Sequence, residues 1–425
     1  MSRIAIIGSG ISGLGCAWFL HQRHEVTVFE AGEHIGGHSN TITIDENGRD
    51  VPIDTGFMVY NEVTYPTLIR LFKALGVPTK PTSMSFSVHH GPSGVEWNGS
   101  GFNTLFAQRR NLFNLRHWRF LFQLSRFNRE AVPALDEPQW AEMSLAEYVE
   151  ARSYGQDFLE RYLIPMSSAV WSTPPEKMMQ FPAMTLLRFW HNHGFLGLDT
   201  QHPWRTIVGG SQEYVSRLIE PFRDRIHTLS PIQQVRRLPE GVEVTATGRE
   251  PEIFDQVILA THAPTSLRLL ESPTELEREV LTPFAYQPNE VKLHTDVNVM
   301  PRTSRCWASW NYRTEADDDN DYPTTHYWMN SLQGVSDEQN YFVSLNSGDQ
   351  IAKKACLRTL DYEHPLFDLD AIRAQVRVPE LNDAGHDTGT FFCGAWTRYG
   401  FHEDGFLSAV NLCQTLLGGD PWKLR

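Results

Sequence analysis

The feature that most constrains this chain is a glycine-rich turn near its start, Gly8-Ser9-Gly10-Ile11-Ser12-Gly13. It follows a short apolar segment, residues 3–7, which reads as a buried strand. A helical pattern then runs to Leu20, residues 25–29 (EVTVF) read as a second strand, and Glu30 ends it. Strand, glycine turn, helix, strand and acid together make the βαβ unit that binds a dinucleotide. Gly8 permits the tight turn, Gly10 lets the backbone approach a pyrophosphate, and Gly13 lets the helix pack close to the strand. Ile11 and Ser12 open the helix, whose amide donors and positive dipole end favour phosphate. Glu30 lies 20 residues after Gly10, where an acid can bind ribose hydroxyls.

The chain has 425 residues, enough for two or three domains and a large core. Its 37 Lys and Arg stand against 51 Asp and Glu, a net charge of −14, which argues against nucleic acid as a partner. Aromatic residues make up 12% of the chain and include 12 Trp, which suggests an apolar or planar ligand. Cys16, Cys306, Cys356, Cys393 and Cys413 are scattered and form no CxxC, so no metal site is expected and a reducing compartment is. Residues 4–20 are apolar but broken by four glycines, and cleavage of this stretch as a signal peptide would destroy the dinucleotide motif. A cytoplasmic protein is expected, with a peripheral contact at the inner face of a membrane.

Further segments point to the cofactor. After Glu30 comes Ala31-Gly32-Glu33-His34-Ile35-Gly36-Gly37-His38-Ser39-Asn40-Thr41, and then Val51-Pro52-Ile53-Asp54-Thr55-Gly56-Phe57. Residues 204–214 (WRTIVGGSQEY), 254–261 (FDQVILAT) and 390–394 (TFFCG) lie far along the chain, and residues 226–235 and 241–246 read as strands. Together they resemble the FAD-dependent amine oxidase and phytoene desaturase superfamily. The resemblance implies a two-domain α/β flavoprotein, with a Rossmann-like FAD-binding domain and a mixed α+β substrate domain. It implies non-covalent FAD, since neither Cys356 nor Cys393 sits in a matching motif.

In that scheme Ala31, Gly36, Gly37 and His38 run along the pyrophosphate, with His38 standing where relatives usually carry Arg. Thr55, Gly56 and Phe57 pass beside the isoalloxazine ring. The backbone at Val235 meets the adenine, and Ala260 and Thr261 form the turn after a core strand. Gly394 closes the last strand, and Gly405 and Phe406 open a helix over residues 406–417 whose N-terminus faces the flavin pyrimidine. Ala395 stands where relatives usually place an acid, so Thr397 or a backbone amide is expected to reach the ribityl chain.

Five stretches are similar to one bacterial subfamily of predicted NAD/FAD-binding proteins. They are residues 36–41 (GGHSNT), 54–61 (DTGFMVYN), 293–312 (LHTDVNVMPRTSRCWASWNY), 327–333 (YWMNSLQ) and 399–405 (YGFHEDG). Members are often encoded beside cyclopropane-fatty-acyl-phospholipid synthases. The resemblance therefore implies lipid redox chemistry and a lipid-modifying synthase as partner.

Residues 1–75, 204–263 and 384–425 are assigned to the FAD-binding domain, and 76–203 and 264–383 to the substrate domain. The first insert reads as mainly helical, and the second contains strand-like runs at 291–295 and 341–345. The acidic run at 315–321 (EADDDND) reads as a solvated loop.

Trp396, Tyr399, Phe401 and His402 lie between the last strand and the last helix, where amine oxidases build an aromatic wall. His402 is a candidate acid/base or ring contact. Lys292 matches the lysine that holds a water against flavin N5 in many amine oxidases, and His294 shares its strand face by alternation.

Residues 108–130 carry six arginines against Glu130 alone, a net of +5 that leaves the rest of the chain at −19. Aromatic and aliphatic residues interleave with these arginines, which reads as an anionic membrane contact or as a substrate-domain helix. The expected function is FAD-dependent dehydrogenation of an apolar substrate, a fatty-acyl or lipid chain. The alternatives are amine oxidation on the same fold and a flavin-binding accessory protein to a lipid-modifying synthase.

Overall fold

Two sheets divide the work of this chain. In the computed structural model, which describes residues 1–197, 200–315 and 324–424, the first sheet has five parallel strands. Their order is Ile226–His227, Glu25–Phe29, Arg3–Ile7, Gln256–Leu259 and Thr390–Phe392. A parallel sheet covered on both faces needs strands that are apolar at every position. Ile4, Ala5, Ile6, Val257, Ile258 and Leu259 meet that need and are fully buried. Helix Ile11–Leu20 is buried along its whole length and packs on helix His402–Leu417. Gly15 permits that contact, because a Cβ there would lie 3.0 Å from both Ala409 and Phe406.

Two expectations about this half are corrected. Residues 226–235 are not one strand: Ile226–His227 stays in the parallel sheet, and Ile232–Leu238 opens a separate antiparallel sheet with Gly241–Ala246 and Glu252–Phe254. Leu229, at φ 51°, turns the chain between them. The last helix also begins at His402 rather than at residue 406, because the Asp404 carboxylate accepts the Phe401 N–H and caps an earlier turn.

The second sheet has seven strands, in the order Cys356–Leu366, Ala285–His294, Phe342–Leu345, Thr324–Trp328, Trp310–Thr314, Phe86–His90 and Val95–Asn98. All neighbours are antiparallel except Trp310–Thr314 with Phe86–His90. After strand Thr79–Thr82, which pairs with Trp204–Ile207 in a separate small sheet, the first insert adds a hairpin to this sheet before it becomes helical. Its helices Leu115–Ala134, Ile164–Trp171 and Ala183–Asn192 pack over the sheet's end and carry much of the aromatic core. Of the acidic run, Glu315 pairs with Arg313, and residues 316–321 lie outside the described residues. Among the described residues, no helix is long and apolar enough to cross a membrane.

The core buries several imidazoles. His294 and His326 both contact the Ser344 hydroxyl at 2.7 Å inside the second sheet. Burial pushes His193 and His294 down to about 4 and His402 to about 3, and holds His326 well below the usual 6.5. The unfolded chain takes up protons near 6.5 while these folded imidazoles do not, so stability is lost as pH falls from there towards about 4. Asp404 works the other way. Burial raises it to about 7, so its contribution is present at low pH and lost as pH rises through that value. The histidines outnumber it, and the melting temperature of the FAD-loaded protein is expected to fall by several degrees between pH 7 and pH 5. A flat or rising trend over that interval would show that the imidazoles are not held neutral.

Candidate active site

A cavity of about 750 Å³ runs from the glycine turn to the second sheet. Gly8, at φ +106°, closes its first corner, and its N–H donates to the Phe29 carbonyl at 2.9 Å. A Cβ at Gly8 would lie 2.8 Å from the Ala260 carbonyl oxygen, and one at Gly13 would lie 2.0 Å from the Gly8 carbonyl oxygen. Gly10 differs, since a Cβ there would meet nothing within 4 Å. It would project into open space at a helix end that no side chain caps. Gly37, at φ +59°, folds the paired-glycine segment over this turn, 3.2 Å from the Gly10 Cα as measured from an added Cβ. Gly36 lies just beneath and is buried.

Glu30 lines the cavity at the end of its strand. Its carboxylate accepts from the Ser9 N–H at 3.0 Å, the Ser9 hydroxyl at 2.6 Å and the Gly32 N–H at 2.9 Å, which fixes its orientation. Ile11, Ser12, Ala31, Ala260 and Thr261 line the same half. His38 lines it too, tilted against Tyr362 at 4.8 Å and His364 at 5.3 Å, and its buried Nε2 has no protein partner among the described residues. Uncapped helix amides, open space at Gly10, a fixed acid and an imidazole nitrogen without a partner among the described residues are what an adenine dinucleotide fills. The residues present fit FAD.

The ring end is assembled from distant segments. Thr55, Gly56, Phe57, Gly394, Trp396 and His402 line it. A Cβ at Gly56 would fall 2.2 Å from the His38 carbonyl oxygen, so only glycine lets the Phe57 N–H reach that oxygen at 2.7 Å. Phe57 stacks on the His402 ring with centroids 3.9 Å apart. His402 Nε2 meets the Tyr214 hydroxyl at 2.7 Å and the Ser39 hydroxyl at 2.9 Å. Burial pushes it down to about 3, and its ring braces Phe57. Glu403 faces away and caps helix Pro66–Leu75, accepting from the Thr67 and Leu68 N–H groups at 3.0 and 2.9 Å.

Other expected residues stand apart from the cavity. Val235 is buried in its strand, and its carbonyl accepts the Glu271 N–H at 3.0 Å. Ser230, Pro231, Ile232 and Gln233 line the cavity in its place, because the chain has already turned away by residue 235. Lys292 and His294 are also displaced. Val291 lines the cavity, so alternation turns both side chains to the other face of their strand. There Lys292 pairs with Glu290 at 2.8 Å and donates to the Gly348 carbonyl at 2.6 Å, while His294 bonds Ser344. Gly405 and Phe406 are packing residues between the two long helices: a Cβ at Gly405 would lie 2.8 Å from Ile11, and Phe406 stacks on Phe19 at 5.9 Å. Thr397 turns inward and donates to the Gly394 carbonyl at 2.8 Å.

The remaining walls come from the inserts. Phe401 stacks on Phe189 at 4.9 Å, Tyr399 meets the same ring edge-on at 5.4 Å, and the Trp171 indole donates to the Tyr399 carbonyl at 3.1 Å. Opposite stand Trp310 and Tyr327, stacked at 5.9 Å. Nothing in the sequence marks Phe189 or Trp171, since aromatic residues in helices read as core, and Trp310 lies inside the 293–312 stretch without being singled out. The charged side chains in the lining, Glu30, Arg268 and Glu363, belong to the dinucleotide half, and Glu363 is paired with His262 at 3.0 Å. No cysteine lines the cavity among the described residues.

A parallel sheet with a glycine cradle and an aromatic-walled chamber over the ring site is the architecture of an FAD-binding fold. Residues 11–347 match the flavin containing amine oxidoreductase family, and the chain belongs to it. It is 25% identical to Bos taurus amine oxidase [flavin-containing] A over 260 residues, which are 59% of this chain and 47% of that protein. The chain thus spans about half the length of the curated relatives it matches. Cyclohexylamine oxidase from Brevibacterium oxydans IH-35A shares the fold, with a TM-score of 0.66 at 16% identity over 98% of this chain and 99% of that one. So does the CLA-producing fatty acid isomerase from P. acnes, with a TM-score of 0.66 at 14% identity over 97% and 98%.

Gly10 and Gly13 separate cofactor binding from folding. Gly10→Val is expected to melt like the flavin-free wild type but to purify colourless, since its side chain enters only the phosphate space. Gly13→Val must push apart the Gly8 backbone and is expected to lose at least about 3 kcal/mol of stability. Flavin absorbance and thermal melting of the two variants check this. A yellow Gly10→Val protein would misplace the phosphate turn.

Proposed function

We propose that this protein dehydrogenates an apolar substrate, a fatty-acyl chain of a lipid, with FAD as the oxidant. One observation carries the reading. The chamber beyond the ring site is walled by Tyr65, Met84, Trp171, Phe189, Trp310 and Leu345, and the charged residues of the lining all lie at the other end. An unpaired charge in such a chamber would be costly to bury, whereas a methylene chain gains from it. That the same fold serves a fatty acid isomerase in P. acnes supports its capacity to house an acyl chain.

When bound in this cradle, FAD would supply the hydride-accepting chemistry for a substrate carbon. The second hydrogen leaves the neighbouring carbon as a proton, and a double bond forms. His193 lines the chamber, and its Nδ1 lies 2.9 Å from the Phe189 carbonyl, so Nδ1 carries the hydrogen and Nε2 the lone pair. That makes His193 the side chain assigned to receive the proton. Trp396, Tyr399 and Phe401 press the chain against the ring and keep water out.

Amine oxidation is the second reading, favoured by the names of the curated relatives and by aromatic faces that would attract an ammonium group. A single anaerobic turnover needs no electron acceptor and separates the readings. Flavin bleaching is expected with phospholipid bearing long acyl chains and not with mono- or polyamines. Tyr399→Ala and His193→Phe are expected to retain FAD and to bleach more slowly, on the order of tenfold. Bleaching by an amine with lipid inert would reverse the order, and inertness to both would favour the accessory role beside a lipid-modifying synthase.

A further inference from the structure

The surface of the first insert carries a feature that the cavity does not use. Every exposed Phe and Trp among the described residues falls within 21 positions: Phe102, Phe113, Trp118 and Phe122, at 65%, 91%, 43% and 67% exposure. Leu115, at 85%, belongs to the same patch. Helix Leu115–Ala134 turns His117, Phe120 and Phe127 inward, where Phe127 packs on Trp190 at 5.9 Å. Its outer stripe at three- and four-residue spacing holds Leu115, Trp118, Arg119, Phe122 and Arg129. A helix that merely covers a core would present polar residues there.

Charge sorts with the aromatics. No Asp or Glu occurs between Glu96 and Glu130. Arg116 pairs with Asp157 at 2.6 Å and Arg126 with Glu130 at 2.8 Å. Among the described residues, Arg109, Arg110, Arg119 and Arg129 pair with no carboxylate. The segment is cationic on a chain whose net charge is −14. From this we infer that residues 102–129 dock the protein on an anionic lipid bilayer, with the aromatic side chains in the interfacial layer and the unpaired arginines on the headgroup phosphates. The strongly acidic remainder is repelled by the same surface, so the contact is oriented and local. Helix Leu115–Ala134 packs on helix Ala183–Asn192, whose Phe189 lines the chamber, so the docked face lies one helix layer from it. The inference rests on the patch and stands whichever substrate the chamber takes.

Full-length, FAD-loaded protein is spun with vesicles of equal parts phosphatidylglycerol and phosphatidylcholine, and with pure phosphatidylcholine. The wild type is expected to sediment with the first and to be released by high salt. Arg109→Glu, Arg110→Glu and Arg119→Glu together are expected to weaken binding on the order of a hundredfold. Phe113→Ser, Leu115→Ser and Phe122→Ser together are expected to weaken it at every salt concentration. All six positions are exposed or make no ion pair, so melting temperature and flavin content serve as fold controls. Wild type that stays in the supernatant, or binding indifferent to both triple variants, overturns the inference. Lipid-free self-association abolished by the Phe113, Leu115 and Phe122 changes would also overturn it, by assigning the patch to a second copy of the chain.

Discussion

A side-chain carbon on Gly13 would lie 2.0 Å from the Gly8 carbonyl oxygen and 3.2 Å from the Ala260 side chain, and that clearance governs the rest of the molecule. It lets helix Ile11–Leu20 begin directly above the strand ends, so its first amides open onto the cavity rather than onto protein. The tight entry also sets the helix close enough to the sheet for its whole length to be buried. Once there, it offers Gly15 to the last helix, and Ser12 donates to the Gly405 carbonyl at 2.9 Å. The cofactor cradle and the packing of the two chain ends thus depend on one close approach.

The ring site is held by locks between segments hundreds of residues apart. Glu403 ties the start of the last helix to helix Pro66–Leu75. Its neighbour His402 spans from Phe57 to Tyr214 and Ser39. A neutral imidazole suits this place, since a charged one would sit unpaired among aromatic rings. Glu403 in the first helical turn satisfies donors of another helix, while Asp404 caps its own. The segment at 399–405 therefore acts first as a structural clasp, and its aromatic members Tyr399 and Phe401 are the ones turned towards the chamber.

The residues that could be read from sequence are those whose roles are set by backbone. Gly8, Gly13, Gly37 and Gly56 are identifiable because each needs a missing Cβ, Gly10 because it keeps the phosphate space open, and local order shows where the strand and helix must lie. Val235, Lys292, His294, Gly405 and Phe406 were misplaced because their roles depend on a turn, a cap or a strand face that no local pattern specifies. Lys292 illustrates the point. One step of alternation separates a side chain in the chamber from one bonded to Gly348, and only the burial of Val291 fixes the phase. The aromatic walls from the inserts were invisible for another reason. Phe189 and Trp171 pack like core residues on most of their surface and differ from core only in facing a void.

His38 shows how a departure from the family pattern is accommodated. Where relatives usually place Arg, this chain gathers three imidazoles at the cradle: His38, His364 and His262, the last paired with Glu363. Burial and mutual repulsion push His38 down to about 4 and His364 to about 3, so they enter the cradle neutral. Neutral imidazoles can donate one hydrogen bond each but bring no net charge. His364 Nδ1 is already engaged by Asn289 at 2.8 Å, while His38 Nε2 is buried with no protein partner. The uncapped helix amides at Gly10 to Ser12 would face the pyrophosphate, and His38 would add a directed hydrogen bond. This raises the demand on the glycine turn. An arginine could hold a displaced phosphate by reach and charge, but a short neutral ring can serve only a phosphate that the backbone has already placed.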